Sequence, residues 1–365
     1  MTFIEFFDKT CVENICACLS AIPERVIFLG DKKKELDAHA TRYEKLFAER
    51  GQTVDFICKS VNRNNLKSIV ALLSDIVEKY GDCAFGLTGG DGLFLTAAGI
   101  VYERYKDKNV QLHRYNINNN KIYDCDNDGN VLSVNENSCL SVKENVRIYG
   151  GDVVEGKSFG TDRESDILSV WDICRKNVKA WNAAVNNLKK DSGICKELEK
   201  RELISFDGEK ILYKNETVKH CLSKAGMALE MIVFLAAKQA VDTQGNFVYN
   251  DCMNGVCIDW DGSDEKFDTK NEIDVMLMRG MMPIFISCKN GAVETEELYK
   301  LNSVAQRFGG AYSKKILFST ALSGKGEFSK YFRQRAKDMD IRLIENIQYM
   351  SYEEIKNTVK NLWIS

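Results

Sequence analysis

Residues 271–291, NEIDVMLMRGMMPIFISCKNG, have the pattern of two β-strands joined by a tight turn. Side chains alternate between the two faces of a strand, so Glu272 and Asp274 share one face of the first strand, and Ser287 and Lys289 share one face of the second. With a four-residue loop, antiparallel pairing places Asp274 opposite Ser287 and Lys289 near Glu272. The pattern therefore predicts a hairpin on which two carboxylates, a hydroxyl and an ammonium group converge.

These side chains are the ones that metal-assisted phosphodiester hydrolysis uses. Carboxylates bind the hard cations Mg²⁺ and Mn²⁺, which polarise the phosphate and activate water. A lysine such as Lys289 can orient the water and offset charge in the transition state. Glu230, in the preceding helical segment, could add a carboxylate. The residues by themselves equally allow an exposed hairpin whose polar face is only solvated.

Composition indicates a globular protein of two domains. The chain has 365 residues, of which 44% are hydrophobic and 28% charged, and one core seldom organises that length. The net charge of −3 excludes a global field that attracts nucleic acid. Thirteen cysteines without a C-x-x-C motif, and only three histidines, indicate reduced thiols rather than a zinc site. We expect no signal peptide and no membrane span, and therefore a cytoplasmic location.

The first 110 residues alternate strand and helix, which predicts an α/β, Rossmann-like domain with a parallel sheet, over residues 1–150. Strands are expected at 25–30, 54–61, 83–90 and 110–117, and helices at 36–51, 65–81 and 91–107. The Asn- and Asp-rich segment 117–150 is expected to extend the sheet with antiparallel strands.

A helical connector is expected over residues 151–204 and a second α/β domain over 205–365. This second domain is expected to begin with a short hairpin and a helix from about residue 220 to residue 240, followed by the strands FVYNDC and VCIDW and by the hairpin described above. The remaining elements are helices at 293–310, 327–340 and 351–363 and strands at 314–320 and 341–347.

The segment LTGGDG (87–92) lies where a predicted strand meets a helix, so its glycines would let main-chain amides approach an anion at the helix N-terminus. The segment LGDKKKE (29–35) is expected to border the same crevice. The alternative is a tight turn in which an aspartate only caps the helix. The candidate ligand-binding residues are Gly30, Asp31, Lys32, Thr88, Gly89, Gly90 and Asp91.

Both features together resemble one family. A Rossmann-like domain with T-G-G after a strand, then N-E-I-D-V-M-L-M, I-S-C-K-N-G and E-L-Y-K-L, is similar to the ancillary nucleases of type III CRISPR systems. Those proteins join an N-terminal CARF domain, which binds cyclic tetra-adenylate, to a C-terminal PD-(D/E)xK nuclease domain with a restriction-endonuclease-like fold. The resemblance covers most of the chain and is weakest in the connector.

The resemblance implies roles for individual residues. Asp274 would bind the metal, Lys289 would be the catalytic lysine, and the main-chain carbonyl of Cys288 would be a second metal ligand. Glu230 resembles the helical glutamate of such domains. Ser287 departs from the pattern because it replaces the expected acid, a loss for which Glu230 and Glu272 could compensate.

In the CARF domain, Thr88, Gly89 and Gly90 match the ligand loop, whereas Asp91 stands where a threonine is more usual. An acid there disfavours a nearby phosphate but could accept a ribose hydroxyl.

The resemblance further implies a homodimer, a cyclic oligoadenylate activator, Mg²⁺ or Mn²⁺, and cleavage of DNA or RNA in antiviral defence. Two alternatives remain open: a non-catalytic sensor that grips nucleic acid or a partner, and a ring nuclease that degrades its activator. Lys330, Arg333 and Lys337, on one helix, could follow phosphates or could simply be solvated. They belong to a basic segment whose other cations are Lys314, Lys315, Lys325, Arg335 and Arg342.

Overall fold

The computed structural model of the chain describes residues 1–126, 128, 130–136, 138–158, 163–185, 188–263, 270–321 and 326–364, so that Lys325 of the basic segment lies outside the described residues. The chain divides into two compact units. The first contains Met1–Asp152, Gly280–Met282 and Gly310–Tyr312, and the second contains the remaining described residues from Val153 onward. None of the described helices is both long enough and apolar enough to span a membrane.

The first unit is built on a sheet of seven strands in the order β3-β2-β1-β4-β5-β6-β7. The strands are β1 (Thr2–Phe6), β2 (Arg25–Gly30), β3 (Asp55–Ser60), β4 (Cys83–Gly86), β5 (Val110–Asn116), β6 (Lys121–Cys125) and β7 (Val131–Glu136). The five strands β1 to β5 are parallel to one another, and β6 and β7 extend the sheet with antiparallel pairing. The helices are α1 (Cys18–Ala21), α2 (Lys33–Glu49), α3 (Leu66–Tyr80), α4 (Gly92–Arg104) and α5 (Val142–Ile148). The predicted Rossmann-like class and the antiparallel extension are confirmed.

The sequence analysis missed the strand at the centre of this sheet. It began the sheet at residues 25–30, but β1 precedes that strand and pairs in parallel with both β2 and β4. All five residues of β1 are buried. Glu5 interrupts its apolar pattern, and a buried acid is rare enough to hide a strand. The point where the strand order reverses, at which ligands bind in such sheets, therefore lies between β1 and β4.

The second unit contains a six-stranded mixed sheet in the order β15-β14-β13-β12-β11-β8. Its strands are β8 (Asp152–Lys157), β11 (Asp251–Asp259), β12 (Lys270–Arg279), β13 (Met282–Lys289), β14 (Lys314–Ser319) and β15 (Ile341–Glu345), while β9 (Ile204–Asp207) and β10 (Lys210–Tyr213) form a separate hairpin. The helices are α6 (Glu164–Lys176), α7 (Val178–Val185), α8 (Gly193–Lys200), α9 (Glu216–Cys221), α10 (Met227–Lys238), α11 (Thr295–Gly309), α12 (Glu327–Asp338) and α13 (Tyr352–Lys360).

Three predictions for this unit need correction. The segment 151–204 is not a separate connector, because Trp171, Trp181 and Leu198 from its helices belong to the core of the second unit. The two strands FVYNDC and VCIDW are one strand, β11, which begins at Asp251. The predicted four-residue loop of the hairpin is shorter, because β12 runs to Arg279 and β13 starts at Met282.

Glu5 makes the stability of the first unit depend on pH. Burial raises the pKa of Glu5 to about 8, and the hydrogen bond from the Cys18 thiol, 3.6 Å away, offsets only part of that effect. Since the folded pKa exceeds the unfolded value of 4.5, the contribution of Glu5 to stability is complete below about pH 4.5 and is lost as the pH rises through about 8. We therefore expect Glu5→Gln to gain stability over the wild type across this range, by a few kcal/mol at its upper end.

Urea unfolding at several pH values measures this gain, with the exposed Glu24→Gln as the matched control. A stability difference between Glu5→Gln and the wild type that does not change with pH would contradict the assignment.

Candidate active site

The β12–β13 hairpin lies in the middle of the second sheet, between β11 and β14. Val275 and Ile286 pack into the core on one face, and Met276 and Phe285 are also fully buried. The alternative of an exposed hairpin is therefore wrong. Its polar residues open instead into a cavity of about 300 Å³, lined by Lys270, Asn271, Glu272, Ile273, Asp274, Ser287, Lys289, Glu297, Lys300, Leu301 and Val304.

Asp274 is held by donors from β13, as the predicted register requires. The Ser287 hydroxyl donates to Asp274 Oδ2 at 3.2 Å, and the Cys288 main-chain N–H donates to the same oxygen at 2.6 Å. The Lys289 ammonium lies 3.9 Å from it. Burial raises the pKa of the Asp274 carboxyl although Lys289 and both donors favour its charged form. The carboxylate is thus fixed in position, but the neighbouring ammonium and donors do not fully offset the effect of its burial.

The Cys288 carbonyl and the Cys288 N–H point to the same side of β13, toward Asp274 on β12. In an extended strand, the N–H and C=O of one residue project to the same edge, as the paired bonds of an antiparallel ladder require. The Cys288 N–H is directed at Asp274, so the Cys288 carbonyl also faces β12. Both the carboxylate and this carbonyl are hard oxygen donors.

Glu230 supplies a second carboxylate from α10. The residue is buried, and its Oε2 has no hydrogen-bond partner among the described residues. Burial, followed by the charges of Asp274 and Glu272, raises the pKa of Glu230 to about 8. A buried carboxylate oxygen without a partner is costly. A cation bound near Asp274 would remove that cost.

The residues fit a hard divalent cation whose coordination is completed by neutral oxygens. Among the described residues, no group of three or more His, Cys, Asp or Glu side chains is arranged to hold a metal. The available donors are the carboxylates of Asp274 and Glu230, the Ser287 hydroxyl and the Cys288 carbonyl. Mg²⁺ and Mn²⁺ accept such oxygen ligands, and Mg²⁺ usually keeps several waters.

Glu297 is a site residue that the sequence analysis did not identify. It lies in the first turn of α11, and its Oε2 is 2.9 Å from the Lys289 ammonium. Burial acts to lower the pKa of Lys289, but Asp274 and Glu297 outweigh it and raise the pKa overall. The side chain of Lys289 is therefore held as a cation. The signal available in sequence was a glutamate at the start of the helix that follows Lys289, three residues before Lys300.

Glu272 lines the same cavity as Lys289, near which the register predicted it, and its ion-pair partner is a different lysine. Its carboxylate lies 3.1 Å from the ammonium of Lys224, which precedes α10. The prediction considered only the two strands of the hairpin and so omitted both Lys224 and Glu297. Lys224 forms an ion pair with Glu272, and Glu297 forms an ion pair with Lys289.

Asn254 is a second residue that the sequence analysis missed. Its side chain is fully buried on β11, and its Nδ2 donates to the main-chain carbonyl of Asp274 at 3.1 Å. Its Oδ1 lies 2.9 Å from His220 Nε2. The next residue, Gly255, has φ +60° and is absent from the β11–β12 pairing that continues on either side of it. The amide of Asn254 therefore anchors Asp274 where the ladder is interrupted.

The loop after β4 is formed as predicted and contains a helix cap. Asp91 Oδ1 accepts from the N–H groups of Leu93 and Phe94 at 3.1 and 3.3 Å, and Asp91 Oδ2 pairs with Arg63 at 2.9 Å. Gly90 has φ +92°, and a Cβ there would lie 2.5 Å from the Cβ of Phe6, so glycine is required. The aspartate thus does cap α4, and Arg63 offsets its charge.

A cavity of about 210 Å³ lies beside this loop and is lined by Phe7, Asp8, Lys9, Gly30, Asp31, Arg63, Gly90, Asp91 and Phe94. The structure thus brings together four of the seven candidate ligand residues, namely Gly30, Asp31, Gly90 and Asp91. Thr88, Gly89 and Lys32 do not line this cavity, and the Thr88 hydroxyl instead accepts from the Tyr115 N–H at 2.9 Å. Phe7, Asp8 and Lys9 were missed because they follow β1, the strand that the sequence analysis did not identify.

Comparison with known proteins finds similarity in structure rather than in sequence. No protein-family model and no curated protein sequence matches the chain significantly. Protein VC1899 from Vibrio cholerae matches with a TM-score of 0.76 and 16% identity, over 99% of this chain and 97% of that one. Can2 from Sulfobacillus thermosulfidooxidans, solved in complex with cyclic tetra-adenylate, matches with a TM-score of 0.72 and 16% identity, over 100% and 99%.

A type III CRISPR defence DNA nuclease activated by cyclic oligoadenylate matches with a TM-score of 0.57 and 13% identity, over 92% of this chain and 51% of that one. The chain therefore spans about half of that nuclease. At these identities the matches establish the fold. The resemblance in fold that the sequence predicted is confirmed over the length of the chain.

Metal binding at this site should depend on pH through Glu230. Because the pKa of Glu230 is about 8, Mn²⁺ must displace a proton, so its affinity should rise by up to about tenfold per pH unit until about pH 8. Glu230→Gln should bind Mn²⁺ more weakly and with little pH dependence. Isothermal titration calorimetry measures both effects, with the exposed Glu216→Gln as the matched control. A wild-type affinity that is flat over this range would refute the role of Glu230.

Removing the Asn254 amide should weaken the metal site through Asp274. We expect Asn254→Ala to lower Mn²⁺ affinity by about 10- to 100-fold, as is usual when a group that positions a metal ligand is lost. If Asn254→Ala lowers only the melting temperature and leaves the Mn²⁺ affinity intact, Asn254 is a packing residue and not a positioning residue.

Proposed function

We propose that the protein is an endonuclease activated by a cyclic oligoadenylate, and that it cleaves phosphodiester bonds of DNA or RNA with Mg²⁺ or Mn²⁺ as part of type III CRISPR defence. The observation that supports this most strongly is the buried carboxylate of Glu230, one oxygen of which has no hydrogen-bond partner among the described residues, and whose pKa is raised by burial and then by the charge of Asp274. It occurs in a chain with the fold of proteins that bind cyclic tetra-adenylate or are activated by cyclic oligoadenylate.

The metal would be held by Asp274, Glu230 and the Cys288 carbonyl, with the Ser287 hydroxyl as a neutral neighbour. When bound, it supplies polarisation of the phosphate and a more acidic water. Ser287 and the Cys288 N–H keep the Asp274 carboxylate in one orientation. Asn254 fixes the main chain of Asp274 from the neighbouring strand.

Lys289 acts as a positioned cation in this proposal. Its ammonium is held between Asp274 and Glu297, and its raised pKa keeps it protonated. It therefore stabilises negative charge on the phosphate in the transition state rather than accepting a proton from water. Glu297 directs this ammonium into the cavity, which would make it a positioning residue.

The activator would bind to the first unit at the loop after β4. Lys9 and Arg63 line the cavity beside Gly90 and would contact a phosphate, while Asp91, which caps α4 and pairs with Arg63, would accept a ribose hydroxyl. The second subunit of a homodimer would present the same groups, and a cyclic tetra-adenylate has the symmetry to contact both subunits in the same way. Preferential binding to one of two dimer conformations would be the switch.

A cleavage panel tests the proposal. Single- and double-stranded DNA and RNA are incubated with Mn²⁺, with and without cyclic tetra-adenylate. We expect cleavage only with the activator, and a loss of about a hundredfold or more in Asp274→Ala and in Lys289→Ala. Asp207→Ala and Lys210→Ala, which remove an exposed acid and an exposed lysine on the β9–β10 hairpin, should retain full activity.

The nuclease proposal fails if no substrate is cleaved, or if cleavage survives in both site variants. A non-catalytic sensor is the second candidate, and Ser287 in place of an acid is the observation that favours it. Calorimetry with Mn²⁺ separates the two, since a sensor with a degraded site should bind no metal at about millimolar concentration.

A further inference from the structure

A basic cavity in the second unit is separate from the proposed nuclease site. It has a volume of about 720 Å³ and shares no lining residue with the cavity at Asp274. It lies along the edge strand β15 and against α12. Its walls are formed by Lys314, Lys315, Ile316, Arg333, Lys337, Asp340, Ile341, Arg342, Leu343, Glu345, Asn361, Leu362 and Ile364.

Five cationic side chains and two acidic ones line this cavity, and the acids neutralise only part of the charge. Arg333 is committed to Glu345 through two hydrogen bonds of 2.6 and 2.8 Å. Arg342 donates to the main-chain carbonyls of Asn361 and Ile364 at 2.9 and 3.4 Å. Both acceptors are neutral, so these hydrogen bonds do not neutralise the charge of Arg342. A net positive cavity of this kind favours an anion.

Lys315 has a half-buried ammonium in this cavity. Its Nζ donates to Asn302 Oδ1 at 3.0 Å and to the carbonyl of Met339. Burial lowers the pKa of Lys315, and Asp340 counters this only in part. An anion in the cavity would stabilise this cation, as well as Lys337, for which no ion pair is seen among the described residues.

Apart from Asn361, the other lining residues are apolar, namely Ile316, Ile341, Leu343, Leu362 and Ile364. A site for inorganic phosphate alone would not need such a wall. Cations beside an apolar surface suit a nucleotide unit, because its phosphate contacts the cations while its base covers the apolar side chains. The volume lies within the range of cavities that enclose small organic groups.

The position of the cavity relates it to the nuclease site. In the parallel ladder Ser287 pairs with Leu317, and Leu317 pairs with Leu343 of the cavity. Leu343 is thus two strands from Ser287 in the same row of the sheet, a lateral distance of roughly 10 Å. A nucleic-acid strand covers such a distance within a few nucleotides.

We propose that this cavity is a second contact for the substrate, and that it binds the sugar-phosphate backbone and a base of a single strand outside the nuclease site. The proposal rests on the proposed nuclease function. Lys337 and Arg342 would contact phosphate, and the half-buried Leu343 and the exposed Ile364 would contact the base.

Binding of a labelled single strand of about 15 nucleotides, measured by fluorescence anisotropy in EDTA, tests this proposal. Lys337→Glu should weaken binding at least about fivefold and lower the salt dependence by about one phosphate contact, and Lys337→Gln should have an intermediate effect. Lys330→Glu is the matched control, because Lys330 is exposed on the same helix but does not line the cavity. Its affinity should stay within about twofold of the wild type.

Equal losses in Lys337→Glu and Lys330→Glu would overturn the proposal, since they would show diffuse attraction. Competition by inorganic phosphate or adenosine monophosphate at the concentrations at which the strand binds would also overturn it, and would assign the cavity to a free phosphate compound. Equal binding of poly-glutamate would do the same and indicate an acidic peptide. Because no metal is present, the result does not depend on cleavage. A protein that never cleaves could still show the Lys337 effect, and an active nuclease could lack it.

Discussion

The 2.6 Å hydrogen bond from the Cys288 N–H to the Asp274 carboxylate is the contact on which the candidate site depends. This hydrogen bond joins the two strands near the open end of the hairpin. In it, a main-chain N–H of β13 donates to a side chain of β12 instead of to a main-chain carbonyl. The same geometry directs the Cys288 carbonyl toward β12. One contact thus orients a carboxylate and a carbonyl together, which is what a hard cation requires.

The charges around this contact are arranged so that positive groups are held just outside it. Lys289 is shared between Asp274 and Glu297, and Lys224 is paired with Glu272. Glu230 has a buried oxygen without a hydrogen-bond partner among the described residues, and burial together with the charges of Asp274 and Glu272 raises the pKa of Glu230 to about 8. Such an arrangement is costly in the absence of a cation and becomes favourable when one binds. The serine at position 287 reduces the number of acids that would repel each other without metal.

Local patterns in the sequence were sufficient for the hairpin and for most of the first sheet. Alternation along 271–291 predicted that Asp274 and Ser287 would meet, because the register follows from the turn and the apolar face. The strand β1 was missed because its pattern contains a buried acid, Glu5. Glu297, Lys224 and Asn254 were missed for another reason: each reaches the site from a different element, and only tertiary packing brings those elements together.

The account requires a divalent cation between Asp274 and Glu230, and anomalous scattering from a crystal soaked in Mn²⁺ observes this directly. We predict an anomalous peak in contact with the carboxylates of Asp274 and Glu230 and the carbonyl of Cys288, which disappears in Asp274→Asn. A peak elsewhere, or no peak in a crystal of a protein that cleaves nucleic acid in Mn²⁺, would contradict the assignment of this site.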